Sequence, residues 1–235
     1  MEKNESGKYL KYAIGEIILV VIGILIALSI NNWNESRKEN TTAKILAKSL
    51  IEDLNQDVDI LTDVVGFSTQ KIKDCDELLS LLKTPVEGWD NAIFYEKINI
   101  IGQSNPFFPT IGTYEQIVTT GSLKYFDQSI SNKLNAYNTN INEIQYWTDA
   151  EDKTLWLMAE ILWKGINIQA LSEIRFKQEM KNSRFIKIKE SSIDEFSNYV
   201  AAVKTYRSKT LVEYEEQLQL AQDIIASLKA AYELY

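Results

Sequence analysis

The chain has 235 residues, with 33 Asp and Glu against 25 Lys and Arg, a net charge of −8, one cysteine and no histidine. Without histidine there is no Ser-His or Cys-His dyad, no HExxH zinc site and no imidazole base, and one cysteine excludes an internal disulfide framework. The acidity disfavours a nucleic-acid partner, because binding phosphates requires a concentrated basic surface.

Residues 1–11 form a short tail carrying Lys3, Lys8 and Lys11. Residues 12–33 are expected to form a transmembrane helix. From Tyr12 to Ile30 the only charge is Glu16, and as a helix that stretch is about 28 Å long, close to the thickness of a bilayer's hydrocarbon core. Ala27-Leu28-Ser29 has the small-x-small spacing of a signal cleavage site, but the apolar stretch exceeds the usual length of a signal and ends at Asn31-Asn32-Trp33, an interfacial finish. A retained anchor in a lipid bilayer is therefore expected. Arg37, Lys38, Lys44 and Lys48 follow the span, so flanking charge alone does not orient it. A short tail running straight into a span behaves as a signal anchor, which predicts an inner-membrane protein with a periplasmic C-terminal domain.

Within the span, Glu16, Gly23, Ala27 and Asn31 fall on one helical face, and Gly23-xxx-Ala27 permits close helix approach. That face predicts self-association with Glu16 turned toward its copies. The alternative places Glu16 one turn from the tail, snorkelling to the headgroups.

Residues 34–235 read as a helical extramembrane domain. Leu46, Leu50, Leu54, Val58, Leu61, Val65, Ile72, Cys75, Leu79 and Leu82 predict a helix from about 34 to 83, with one break near Gly66, stopped by Thr84-Pro85. A shorter helix is expected over 89–103, followed by a loop containing Pro106 and Pro109. Thr113 opens a short helix that ends or bends at Gly121. Asp127 is placed to cap a long helix with Ile130, Leu134, Tyr137, Ile141, Ile144 and Trp147 as its stripe, running on through Trp156 and Trp163, both expected in the core. The pattern fails near Lys181, and residues 184–189 read as a connector or minor strand. Ser191-Ser192 is expected to cap a last helix of about 40 residues in near-heptad register. The predicted fold is all-α: an N-terminal transmembrane helix followed by an elongated antiparallel helical bundle of long helices.

No catalytic, cofactor or metal residues are expected, and the protein does not read as an enzyme. Cys75 lies in register with core positions. Asp57, Asp59 and Asp63 resemble a calcium loop but lie in a helix, and read as a solvated acidic face. Asp149, Glu151 and Asp152 point in different directions. Two segments are candidates for contact with a protein partner: Phe107 and Phe108 on the proline loop, and the basic run with Arg175, Lys181, Arg184 and Lys187.

The string Tyr12-Ala13-Ile14-Gly15-Glu16-Ile17, continuing through Ile22-Gly23-Ile24-Leu25-Ile26-Ala27-Leu28 to Ile30-Asn31-Asn32-Trp33-Asn34-Glu35, resembles the opening of an uncharacterised single-span membrane family of flavobacteria and related Bacteroidota. Thr113-Tyr114-Glu115-Gln116-Ile117 with Thr120-Gly121-Ser122-Leu123 resembles a second motif of that family. The resemblance implies an inner-membrane anchor and assigns no activity. The expected role is a membrane-anchored interaction or structural module. The alternatives are an oligomeric channel or ion-coupled component using Glu16, and a ligand sensor or enzyme with a pocket that sequence does not reveal.

Overall fold

The computed structural model describes residues 5–234; Lys3 of the basic tail lies outside them. Six α-helices occur among the described residues: α1 (Glu5–Leu81), α2 (Asn91–Ile101), α3 (Gly112–Thr119), α4 (Gln128–Gly165), α5 (Ile168–Arg175) and α6 (Ile193–Tyr232). The all-α expectation holds. The only β pairing among them is an isolated antiparallel bridge between Ile166 and Ile186.

The apolar span and the first domain helix are one element. α1 runs 77 residues without interruption, about 115 Å at helical rise. The expected break near Gly66 is absent: Gly66 is exposed with open space around it, so no neighbour bends the helix there. The described side chains from Leu10 to Trp33 are all exposed, Arg37 sits over the Trp33 ring at 5.6 Å, and burial begins only at Ala43.

From there the buried face of α1 follows alternating steps of three and four: Leu50, Leu54, Asp57, Leu61, Val64, Ser68, Lys71, Cys75 and Leu78, a register that Leu82 continues just past the helix end. α4 and α6 share this register, through Ile130, Leu134, Tyr137, Ile144, Thr148, Glu151, Met158 and Leu162, and through Phe196, Val200, Val203, Arg207, Thr210, Tyr214, Gln217, Ala221, Ile224 and Leu228. This is the heptad seam of long packed helices. α6 packs along both α1 and α4. Leu46 to Leu54 meet Ile130, Leu134, Ile224 and Leu228 at one end, while Leu78 and Leu82 meet Met158, Leu162, Phe196 and Val200 at the other. α4 therefore runs parallel to α1, and α6 runs antiparallel to both.

The chain returns from the far end of α1 to the start of α4 through a broken fourth column. Asp90 caps α2 by accepting the Ala92 and Ile93 N–H groups at 2.7 and 3.1 Å. After α2 the chain is non-helical to Ile111, through Pro106 and Pro109, before α3. Such a segment leaves backbone groups without helical partners, and α1 supplies them from its buried face. Lys71 Nζ donates to the Gln103 carbonyl at 2.6 Å, and Asp57 and Asp53 accept the Thr110 and Thr113 N–H groups at 2.7 and 3.1 Å.

Gly121 ends α3 with φ +67, a left-handed conformation suited to glycine. Asp127 caps α4, accepting the Ile130 N–H at 2.8 Å. α4 stops at Gly165, well short of the expected 181. A Cβ at that glycine would stand 2.5 Å from Ile188 Cγ1, so only glycine lets residues 186–188 lie across the helix end. Asn167 then caps the separate α5, which closes with Lys177 N–H to Ile174 O and Gln178 N–H to Glu173 O, a Schellman ending. Ser192 precedes α6 as expected but makes no side-chain capping bond.

Candidate functional site

Glu16, Gly23, Ala27 and Asn31 all lie on the exposed part of α1, and space is open around Gly23. Because α1 is unbroken there, their spacing of seven, four and four residues keeps them on one face. Among the described residues the chain offers nothing to cover that face.

The middle of the bundle holds a buried ionic layer built from one heptad position on each long helix. Glu151 of α4 lies between Lys71 of α1 and Arg207 of α6, each at most 1 % exposed. Lys71 Nζ stands 2.6 Å from Glu151 Oε1; Arg207 Nη2 donates to the same oxygen at 2.9 Å, and its Nε lies 2.8 Å from Oε2 in poorly aligned ion contact. Arg207 also reaches Ser68 Oγ at 3.4 Å, and the Phe67 ring faces both cations at about 6 Å. Two cations share one carboxylate, so this layer is cationic. Burial lowers the Lys71 pKa from its ordinary value, while Glu151 opposes the shift. One turn further along α1, buried Asp74 pairs with Lys97 of α2 at 2.6 Å.

A second polar station lies nearer the apolar span. The Tyr137 hydroxyl donates to Asp57 Oδ2 at 2.7 Å, and burial raises the Asp57 pKa despite that bond and the one from Thr110 N–H. Gln217 donates to the Tyr137 carbonyl and accepts from Asn140. Asp57 is thus a buried acceptor instead of part of a solvated face, because the broken fourth column needs an acceptor there. Asp59 and Asp63 are exposed as expected. Cys75 is buried with its thiol pushed up to about 12 by burial, which makes it a poor nucleophile at neutral pH.

The partner-contact candidates separate. Phe107 is buried against Leu61, Val64 and Tyr214, whereas Phe108 is 72 % exposed. Arg175 turns toward α2, where its Nε donates to Asn99 Oδ1 at 3.2 Å. Lys181 is exposed beside Glu179, in a loop held by Glu173, which accepts the Lys181 and Asn182 N–H groups. The Arg184 carbonyl accepts from Asn91, and Lys187 Nζ lies over the Phe185 ring. Trp156 and Trp163, expected in the core, are 67 and 56 % exposed and meet edge to face at 6.2 Å. In the sequence only Glu151 of the ionic layer stands out, as part of the Asp149, Glu151, Asp152 cluster. The layer's signal was the charged residue at heptad positions 71, 151 and 207.

These features define an all-α protein in which one long apolar N-terminal helix continues into a heptad-packed bundle. The chain belongs to the family of unknown function DUF6090, which it matches over residues 16–205. Comparison with curated proteins and with solved structures found no match.

Proposed function

We propose that the protein is a single-pass inner-membrane protein whose helical domain, periplasmic and held off the bilayer by α1, serves as an interaction or structural module. The observation that carries this reading is the continuity of α1. A stretch long and apolar enough to span a membrane, with none of its residues buried, passes without interruption into the bundle's seam. The charged and mostly exposed turns between Trp33 and Ala43 provide about 15 Å of helical spacing, enough to clear the headgroups. The Glu16, Gly23, Ala27 and Asn31 face supports self-association of this anchor.

The test is extraction and protease shaving of native membranes. Full-length protein is expected to stay in the pellet through alkaline carbonate, while a chain beginning at Asn34 is released. Protease added to spheroplasts is expected to digest the domain. Carbonate release of the full-length chain would overturn the anchor, and protection of the domain in spheroplasts would overturn the orientation.

A further inference from the structure

At the end of the bundle remote from the apolar span, α4 and α5 enclose a cleft of about 480 Å³, within the range of small-molecule sites. Asp152, Leu155, Trp156 and Trp163 line it from one face of α4, and Leu171 and Arg175 from α5. The two exposed tryptophans lie at its mouth, edge to face.

Arg175 is held in place at the rim. Its Nε and Nη2 donate to the Asn99 side chain and carbonyl at 3.2 and 3.4 Å, over the C-terminal end of α2, where the helix dipole favours a cation. The approach depends on Gly102, since a Cβ there would stand 3.1 Å from Arg175 Nη2 and 2.9 Å from the Ile98 carbonyl oxygen. Of the five guanidinium N–H groups, three have no protein acceptor among the described residues. Arg175 makes no ion pair among them either, and Asp152 lies outside ion-pair reach of it.

We propose that this cleft binds a small monocarboxylate with an apolar or aromatic body, its carboxylate on the free guanidinium edge of Arg175 and its body against Trp156, Trp163 and Leu171. A planar carboxylate matches the guanidinium fork. Asp152 on the α4 wall repels a second negative charge, so a dianion of the same shape is disfavoured. The site goes beyond the anchoring role and stands or falls separately from it.

The experiment is calorimetric titration of 2-naphthoate into the full-length protein in lipid nanodiscs, with empty nanodiscs as blank. Saturable one-site binding is expected, at least tenfold weaker for the neutral 2-naphthylmethanol and for 2,6-naphthalenedicarboxylate. Arg175→Gln is expected to lose at least tenfold, and Gly102→Ala to weaken binding with the charge retained by displacing the guanidinium. Asp152→Asn is expected to recover the dicarboxylate. Absence of saturable 2-naphthoate binding, or equal affinity for acid and alcohol, overturns the proposal using wild-type protein alone. Unchanged affinity in a folded Arg175→Gln protein does the same.

Discussion

Replacing Glu151 by glutamine is expected to cost about 3–5 kcal/mol of stability, the range for removing one partner of a buried ion pair. The wild-type layer already holds two cations against one carboxylate, with Lys71, Arg207 and Glu151 removed from water. Glutamine keeps the shape and some hydrogen bonding but leaves both cations uncompensated in a low-dielectric seam. The readout is the denaturation midpoint followed by circular dichroism. The variant also enlarges a pH dependence that the wild type already has. Lys71 is pushed down by burial, and loss of Glu151 removes the group opposing that shift. Between the lowered folded value and the ordinary 10.5, the unfolded chain binds more protons, so stability rises with pH. Part of the loss is therefore expected to return as pH is raised toward 10. A variant as stable as wild type would mean that the layer contributes nothing to the fold.

Phe94→Ala is expected to cost about 3–5 kcal/mol by leaving a cavity in the remote end of the bundle. The ring is fully buried, stacked on Trp89 at 5.4 Å and close to Tyr95 and Phe196. Those neighbours tie down separate segments. Trp89 Nε1 donates to the Thr84 carbonyl, closing the turn after α1, and the Tyr95 hydroxyl accepts the Asn167 N–H and donates to the Phe185 carbonyl. The cavity thus opens where α1, α2, α6 and the 184–189 connector meet. The loss is expected to appear in the global melt and in faster amide exchange of α2 and of residues 184–189. Exchange unchanged there would mean that Phe94 does not hold α2 and the 184–189 connector in place.

The long helices were legible because heptad spacing survives in a single sequence, and so were the Asp127 cap and the Gly121 turn, which depend on one residue each. The seam on α1 was legible in part: Leu46, Leu50, Leu54, Leu61, Cys75 and Leu82 of the expected stripe are buried, whereas Val58, Val65, Ile72 and Leu79 are half-buried and their neighbours Asp57, Val64, Lys71 and Leu78 take the buried places. An apolar criterion passes over a stripe whose centre is polar. Asp57 and Lys71 are there to serve unpaired backbone in the 103–113 segment, and Lys71 also to meet Glu151, partners distant in sequence. The end of α4 was missed for a similar reason. Gly165 looks unremarkable until Ile188, over 20 residues later, is laid against it. The cleft was invisible because its walls come from α4 and from an α5 not distinguished from it.

Whether one continuous helix holds the domain away from a bilayer is tested most directly by depth. Single cysteines replacing Lys38 and Glu87 carry a fluorophore in reconstituted full-length protein, Cys75 staying unlabelled because it is buried with a raised thiol pKa. With a quencher on the lipid headgroups, strong quenching is expected at 38 and none at 87. Trp33 and Leu81, just before position 87, are separated by about 70 Å of uninterrupted helix. Equal quenching at the two positions would contradict the account.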